Sequence, residues 1–218
     1  MRCGHGIVAA GLALLALGAV DAGAAPTCAP GGGRVVAASR QGEIRTRRAA
    51  DLGGVRLVVV ACRTGAARPL PVEDCGGDDC SITALSTAGC RAAIGVSQYD
   101  RYWGFYTRLR VVDMCRRRVR TPVDTGPYSP NDRVPSRGVV SVSDVEVTPK
   151  GHVAWIAAVQ ARDADVAPVT TTYEVRRLDA DGRALLDAGS DIAPFSLARS
   201  RSTLYWTRSG QPKRATIS

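Results

Sequence analysis

Short runs of β-branched and other apolar residues recur along the chain, separated by turns rich in glycine, proline, aspartate and serine. Several runs alternate between apolar and polar positions, as in Val140–Val147, where the valines lie mostly on one face. This period of two is typical of a half-buried β-strand, and no window has the apolar spacing of an amphipathic helix over three turns. The sequence therefore predicts an all-β protein. The clearest predicted strands are Val55–Cys62, Arg91–Ser97, Arg108–Met114, Val139–Thr148, His152–Val159, Thr170–Leu178 and Thr203–Thr207.

Three of these strands resemble one another, at Val58–Arg63, Arg110–Arg116 and Tyr173–Asp179. Each follows another apolar strand and precedes a basic or turn segment and a further short strand. The repeating unit therefore has about four strands and recurs every 50–65 residues or so, a spacing found in propellers and arrays. We expect about four such antiparallel sheets in one domain, with a β-sandwich as the alternative. Arg34–Ser39 is a further strand that could pair with the last unit and so close a ring, with an open array as the alternative.

Ser143–Ala157 has a more specific pattern, in which a strand ends in Thr-Pro-Lys-Gly and an apolar strand with Ala and Trp follows. This stretch resembles the blade signature of TolB-like β-propellers, in which the turn is Ser-Pro-Asp-Gly and Lys150 stands where the family has Asp. Leu178–Gly182 is similar to the turn between the third and fourth strands of such a blade. The resemblance covers about residues 139–210, and Thr203–Thr207 is similar to the last strand of secreted, arginine-rich, propeller-like proteins of high-GC actinobacteria. It implies a propeller-like fold and no catalytic residue.

The N-terminus has the three parts of a secretory signal peptide. Met1–His5 is a short basic segment, Ile7–Val20 is an unbroken run of 14 small and apolar residues, and Ala22–Ala24 offers small residues for cleavage. A membrane span needs about 20 apolar residues, and Asp21 ends the run before that length. We therefore expect residues 1–24 to be removed near Ala24, leaving residues 25–218 as a secreted domain without a membrane span.

Six cysteines remain after this cleavage, all in the N-terminal half of the mature chain. An even number in an oxidising compartment predicts three disulfides, although the count alone allows many connectivities, and zinc is the less favoured interpretation. A hairpin turning at Tyr102–Trp103 would place Cys90 opposite Cys115. Cys75 and Cys80 would close a small loop. By elimination, the third pair would be Cys28 and Cys62.

Charge distinguishes this chain, with a net charge of +9 that survives removal of the signal peptide. The basic runs fall at strand ends in equivalent repeat positions, so they could form a shared basic rim that binds phosphate or acidic polysaccharide. The ratio of 27 Arg to 2 Lys favours instead a solvated surface from an arginine-rich proteome. Export argues against nucleic acid as a partner. The runs are Arg45, Arg47 and Arg48; Arg116, Arg117, Arg118 and Arg120; and Arg176 and Arg177.

Five of the chain's eleven aromatic residues lie within residues 99–106, at the tip of the predicted hairpin. Stacked rings at a loop tip can bind the face of a sugar or an apolar patch on a partner. The alternative is that they pack against a neighbouring sheet, because large aromatics are more often buried than functional. The candidate ligand-binding residues are Tyr99, Arg101, Tyr102, Trp103 and Tyr106.

Residues for catalysis or metal binding are few. His152 is the only histidine of the mature chain, no Gly-x-Ser-x-Gly elbow is present, and paired cysteines leave no thiolate. Asp179–Gly182 has the composition of part of a calcium loop but lacks EF-hand spacing, so a hairpin turn is favoured. Asp78 and Asp79 in the small cysteine loop, with Asp74 directly before it, could ligate calcium, but a solvated loop is the default interpretation. We therefore expect no metal and no cofactor.

The sequence favours a secreted, non-enzymatic binding or interaction protein with an unidentified extracellular or cell-surface ligand. The alternative is an extracellular propeller enzyme, of the glycosidase or lyase type, that acts on polysaccharide through carboxylates in a central pocket. Neither the ligand nor the oligomeric state follows from the sequence.

Overall fold

The structure is a computed structural model that describes residue 28 and residues 32–48, 55–70, 80–100, 104–123, 137–161 and 170–218. The described residues form strands β1–β15 in four small antiparallel sheets and contain no helix. The first sheet contains β1 (Arg34–Ala38), β2 (Gly42–Arg48), β3 (Val55–Ala61) and β4 (Ala67–Pro69). The second contains β5 (Cys80–Ala88), β6 (Arg91–Asp100), β7 (Gly104–Asp113) and β8 (Arg118–Val123). The third contains β9 (Arg137–Val147), β10 (Val153–Ala161), β11 (Thr170–Asp179) and β12 (Gly182–Gly189). The fourth contains β13 (Ala198–Ser200), β14 (Thr203–Arg208) and β15 (Gln211–Thr216).

Each sheet is a meander, in which strands that follow one another in the chain are hydrogen-bonded neighbours. The predicted four-strand unit is confirmed for the first three sheets, and the fourth sheet has three described strands. The three similar stretches of sequence fall on β3, β7 and β11, which are each the third strand of their sheet. A β-sandwich would have two sheets packed face to face, whereas the described residues form four, so the array describes this fold and the sandwich alternative does not.

The expectation that Arg34–Ser39 pairs with the last unit is wrong. This segment forms β1, which pairs with β2 in the first sheet, as Arg34 with Thr46 and Ala38 with Glu43. A strand that is close in sequence pays the smaller loop-closure entropy, which favours this hairpin over pairing with a distant strand. Apolar clusters join neighbouring sheets, and within the described residues none joins the fourth sheet to the first.

Three apolar layers lie between successive sheets, so the second and third sheets are covered on both faces. In β7, Val111 contacts the layer toward the third sheet and Val112 contacts the layer toward the first. In β10, Trp155 faces the second sheet and Ile156 faces the fourth. A strand that is buried on both faces needs apolar residues at successive positions, which explains the unbroken valine and alanine runs in the sequence. Each fully buried Val or Ile side chain contributes about 1.5–3 kcal/mol relative to an exposed one.

The hairpin of β6 and β7 is confirmed, with a register one residue away from the predicted one. Arg91 pairs with Asp113, and the amide of Met114 donates to the carbonyl of Cys90 at 2.8 Å. The hairpin is therefore centred on residue 102, and Cys115 lies one position beyond the residue opposite Cys90. The ladder ends there and the chain turns, which leaves the two Cα atoms 5.3 Å apart, and the Cys90–Cys115 disulfide forms.

A second predicted disulfide, Cys28–Cys62, is also confirmed. It holds Cys28 against the outer face of the first sheet, where the Cys28 amide donates to Oε1 of Glu43 at 2.5 Å and Nη2 of Arg45 donates to the Cys28 carbonyl at 3.3 Å. Both confirmed disulfides lie in the N-terminal half of the mature chain. The predicted Cys75–Cys80 pair and the signal peptide, residues 1–24, lie outside the described residues.

Candidate functional site

Seven described turns lie at one end of the array. Each connects an odd-numbered strand to the next strand, and in an antiparallel meander alternate connections fall at the same end of the sheet. We call this end the turn face. Its turns are residues 39–41, 62–66, 89–90, 114–117, 148–152, 180–181 and 201–202.

Hydrogen bonds and close contacts join the turns of different sheets. Oγ of Ser39, in the first sheet, donates to the carbonyl of Gly89 in the second at 2.6 Å. A Cβ on Gly89 would lie 3.8 Å from Cβ of Pro149 in the third sheet. Within the first sheet, the amide of Cys62 donates to the carbonyl of Gln41 at 3.1 Å. These contacts show that the turns of the first three sheets form a continuous surface.

The fourth sheet joins the turn face through the residues that follow β15. The amide of Ile217 donates to the carbonyl of Ser202 at 2.8 Å, and the amide of Ser218 donates to Oδ2 of Asp179 at 3.1 Å. Oγ of Ser218 lies 3.2 Å from Oδ2 of Asp181, in the turn between β11 and β12. All four sheets therefore contribute to one surface.

This surface is strongly basic, because its seven turns contain six cationic residues and one acidic residue, Asp181. Of the six cations, five are exposed and Arg117 is half-buried. The six are Arg40, Arg63, Arg116, Arg117, Lys150 and Arg201. Further arginines lie next to the turns on the flanking strands, among them Arg91, Arg118, Arg120 and Arg183, as do the carboxylates of Asp113 and Asp179.

Two of the three basic runs, at residues 45–48 and 176–177, do not form the exposed basic rim that the sequence allowed. Arg45 is buried in an ion pair with Glu43 at 2.6 Å, and Arg176 binds Glu174 at 2.6 Å. Arg177 lies 2.8 Å from a carboxylate oxygen of the buried Asp179. Nε of Arg47 donates to a backbone carbonyl at 2.8 Å, and the side chain of Arg48 lies outside the described residues. Only the run from Arg116 to Arg120 lies at the turn face, where Arg116, Arg118 and Arg120 are exposed and Arg117 is half-buried.

Asp113 organises the base of that run. Its carboxylate forms an ion pair with Arg91 and accepts a hydrogen bond from the amide of Arg116 at 2.9 Å. Burial by itself would raise the pKa of Asp113, but the hydrogen bonds from Arg116 and Arg91, together with their positive charges, outweigh burial and lower the pKa. The carboxylate is therefore ionised and fixes the turn that carries the arginines.

Two carboxylates on β9 were not singled out by the sequence. Asp144 accepts hydrogen bonds from the amides of Leu197, at 2.8 Å, and Val145, at 2.9 Å. Glu146 accepts from Oγ of Ser86 at 3.3 Å, with Nε of Arg199 at 3.8 Å from the same oxygen. They tie β9 to the second and fourth sheets.

Burial raises the pKa of both β9 carboxylates. In Asp144, hydrogen bonds from two backbone amides partly offset the effect of burial. In Glu146, the hydrogen bond from Ser86 and the positive charge of Arg199 partly offset the effect of burial, while the negative charge of Asp144 raises the pKa further. Alternation along the strand predicts that these side chains share a polar face. Which neighbouring elements lie opposite that face is visible only in the tertiary structure.

Two residues of the predicted aromatic site, Tyr99 and Tyr106, lie at the end of the β6–β7 hairpin that is far from the turn face. Tyr99 and Tyr106 are on the paired strands, close to the hairpin tip. Arg101, Tyr102 and Trp103 lie outside the described residues, as do the side chains of Tyr99 and Tyr106. The aromatic binding site therefore stays a prediction.

The residues weighed for catalysis or metal binding have structural contacts. Oδ1 of Asp179 accepts from the amide of Asp181 at 3.1 Å, which is the side-chain contact of a tight turn, and the hairpin interpretation is confirmed. The amide of His152 donates to Oγ1 of Thr148 at 3.1 Å within the β9–β10 turn. The described segments contain no group of three or more His, Cys, Asp and Glu side chains able to hold a metal ion. Asp74, Asp78 and Asp79 lie outside them.

A scan against models of known protein families finds no match to this chain, and a search of curated proteins finds none either. Among the described residues, no helix is both long and apolar enough to cross a membrane.

Proposed function

We propose that this protein is a secreted, non-enzymatic binding protein whose turn face binds an acidic polysaccharide. The observation that carries the proposal is the separation of charge: the seven turns of this surface hold six cations and one acid, although they belong to four different sheets. Exposed cations also lie elsewhere, as at Arg34, Arg68 and Arg214, but the seven turns are distinguished by holding a single acidic residue. Clustered guanidinium groups are suited to carboxylate and sulfate groups, because each offers a planar fork of donors.

The construction of the surface supports the same proposal. The Cys90–Cys115 disulfide lies directly at the turn face, and the Cys28–Cys62 disulfide reaches it at Cys62. Turns held by disulfides lose less conformational entropy when they bind a ligand, so less of the interaction free energy is spent on ordering. The same disulfides, together with the signal-like N-terminus, support an extracellular location.

The proposal includes membership of the TolB-like β-propeller family, with each sheet as one blade. Two features support it: the four-strand meander repeats along the chain, and Leu178–Gly182 lies at the turn between the third and fourth strands of its sheet, as the resemblance implies. The alternative of a glycosidase or lyase would need carboxylates with a free oxygen toward a substrate. Asp144 engages both of its oxygens with backbone amides, which favours a role in joining the sheets.

The proposal is tested by comparing two variants that lose the same charge in different places. Arg116→Gln/Arg118→Gln removes two exposed cations at the β7–β8 turn, and Lys213→Gln/Arg214→Gln removes two exposed cations from β15. Binding to immobilised dextran sulfate and polygalacturonate, with neutral dextran as the blank, is measured by surface plasmon resonance at several salt concentrations. We expect wild-type binding to weaken as salt rises, because salt screens exposed charges.

The first variant should weaken binding by roughly tenfold or more and the second by less than about threefold, since the two differ only in where the charge is lost. Equal losses would mean that only the net charge matters and would refute the turn face as a site. Binding to polygalacturonate alone would restrict the ligand to carboxylate polymers. Loss of all glycan binding in Trp103→Ala, with the turn-face variant unaffected, would move the site to the aromatic hairpin and refute the proposal.

A further inference from the structure

The two described disulfides differ in how far solvent reaches them. Cys115 is exposed and Cys90 is half-buried, in the turns that follow β7 and β5. Cys28 is buried and packs with Val60 in an apolar cluster, and Cys62 lies half-buried against that cluster. A thiol in solution has to reach one sulfur atom of a disulfide in order to react with it. Of the two described pairs, Cys90–Cys115 is therefore the one that offers an exposed cysteine.

The charges beside the two disulfides also differ. Cys115 is followed by three consecutive arginines, at positions 116 to 118, whereas Cys62 is followed by one. The acid that precedes this basic run, Asp113, is engaged in its ion pair with Arg91. Cationic side chains stabilise a thiolate and attract an anionic reagent. The surroundings of Cys115 therefore favour both the approach of an anionic thiol and the release of a cysteine thiolate.

Backbone hydrogen bonds keep Cys90 and Cys115 together independently of their disulfide. Arg91 pairs with Asp113 at the end of the β6–β7 ladder, and the amide of Met114 donates to the carbonyl of Cys90 at 2.8 Å. The Cα atoms of the two cysteines lie 5.3 Å apart, a separation that a disulfide spans. After reduction the ladder would therefore hold the two thiols close enough to join again.

We propose that Cys90–Cys115 is a modification site, at which small anionic thiols undergo reversible thiol–disulfide exchange with the protein. An incoming thiolate attacks Sγ of Cys115, forms a mixed disulfide with it and releases the thiolate of Cys90. A second small thiol attacks the sulfur of the first, which releases Cys115 and forms the disulfide of the small thiol. Two small thiols thereby lose two electrons and two protons, and the two cysteines gain them. This inference goes beyond the proposed function, because it requires no polysaccharide.

The order of reaction is measured on the intact oxidised protein without denaturant. The protein is incubated with excess glutathione, quenched in acid, and mapped by peptide mass spectrometry for free thiols and mixed disulfides. We expect the Cys90–Cys115 pair to react at least about tenfold faster than the Cys28–Cys62 pair, because exposed disulfides are the labile ones. Equal rates, or faster reaction of Cys28–Cys62, would overturn the proposal.

Reversibility is measured by replacing reduced with oxidised glutathione. We expect the Cys90–Cys115 disulfide to form again as the main product. Cys62 and Cys115 offer an alternative pairing, because the Cys62 amide donates to the carbonyl of Gln41 at 3.1 Å and Sγ of Cys115 lies 3.8 Å from the same oxygen. A Cys62–Cys115 product would mean that the disulfides scramble, and would refute reversible exchange at one site.

The preference for anionic thiols is measured by comparing glutathione with cysteamine, which is cationic, and 2-mercaptoethanol, which is neutral. At low salt, Arg116→Gln/Arg118→Gln should slow the reaction of Cys90–Cys115 with glutathione about threefold or more, speed the reaction with cysteamine, and change the reaction with 2-mercaptoethanol least. Lys213→Gln/Arg214→Gln loses the same charge elsewhere and should react like the wild type.

Thermal unfolding of the oxidised variants confirms that each is folded. The same change in rate with all three thiols, or in both variants, would overturn the preference for anionic thiols.

Discussion

Two arginines of the turn face occupy a backbone conformation that arginine disfavours. Arg117 has a φ of 52° and Arg201 a φ of 54°, and both lie in the left-handed region. Glycine adopts this region freely because it has no Cβ to contact the neighbouring carbonyl. Retaining arginine there is consistent with a side chain that is kept for its charge, as strained residues often are at functional sites. We predict that Arg117→Gly and Arg201→Gly each stabilise the protein and weaken its binding to polysaccharide.

The magnitude follows from two opposing contributions. A left-handed conformation costs a residue with a Cβ about 1–2 kcal/mol. Glycine loses this cost but gives the unfolded chain more freedom, which is unfavourable by about 0.5–1 kcal/mol. The net gain in the free energy of unfolding is therefore about 0.5–1 kcal/mol per site. The two residues lie in the second and fourth sheets, so their effects should add. For a chain of this size the double variant should raise Tm by roughly 2–8 °C.

The free energy of unfolding is measured by urea denaturation and the affinity by binding to immobilised dextran sulfate at low salt. Arg117→Lys and Arg201→Lys serve as controls, because they retain both the strain and the charge and should change neither property by much. We expect the double glycine variant to bind about fivefold more weakly, as loss of two surface charge contacts implies.

A double glycine variant that is less stable than the wild type would refute the assignment of strain. A variant that is more stable but binds equally well would show that these two arginines are not kept for their charge. If the lysine variants weaken binding as much as the glycine variants do, the loss of affinity comes from the geometry of the guanidinium group and not from its charge.

Two further predictions concern stability. Cys90→Ser/Cys115→Ser removes a crosslink between residues 25 apart in sequence. It should lower the free energy of unfolding, measured by urea denaturation, by about 3.5 kcal/mol. A loss below about 1 kcal/mol would mean that the β6–β7 hairpin persists in the unfolded state. Asp113→Asn and Glu146→Gln should have opposite pH dependences. The pKa of Asp113 is lowered on folding, so its charge stabilises the fold above about pH 4, and that contribution is lost as pH falls through the lowered pKa. Asp113→Asn should therefore be less stable than the wild type at pH 7 and approach it in acid. The pKa of Glu146 is raised on folding, so the stability of the wild type falls as pH rises above about 4. Glu146→Gln should therefore be more stable than the wild type at pH 7, and this difference should vanish in acid. Thermal unfolding from pH 3 to 7 checks both, and differences that do not vary with pH would contradict them.

Much of the fold follows from local pattern. The alternation in Val140–Val147 and the glycine turns around it specify strands and hairpins, and β9 to β12 occur where these signals predict them. The Cys90–Cys115 disulfide was predicted from a register that was wrong by one residue, because the sequence does not determine where the ladder ends. Ring closure through Arg34–Ser39 was wrong for a related reason. The tendency of a strand to pair is visible in its residues, but its partner is decided by loop-closure entropy and by packing.

The candidate site was less accessible to sequence reasoning. The run from Arg116 to Arg120 was recognised, but single residues such as Arg63 and Lys150 are unremarkable in a chain with 29 cationic residues. Arg45 and Arg176 were grouped with them, although the structure buries or pairs both with glutamates two residues away in sequence. A charged residue two positions from an opposite charge lies on the same face of a strand, and this spacing is the signal that could have separated the paired arginines from the others.

The sequence by itself determined the class of secondary structure, the four-strand repeat and the cysteines available for crosslinking, because these depend on periodicity and on residue type. Only the tertiary structure decided which faces became buried and which turns came together. Gly151 and Arg91 are 60 positions apart in the sequence and belong to different sheets, and no local pattern links them. They meet because the apolar faces of the second and third sheets pack against each other, which brings the ends of both sheets to one surface. Charged side chains collect at that surface because burying them in the core is unfavourable.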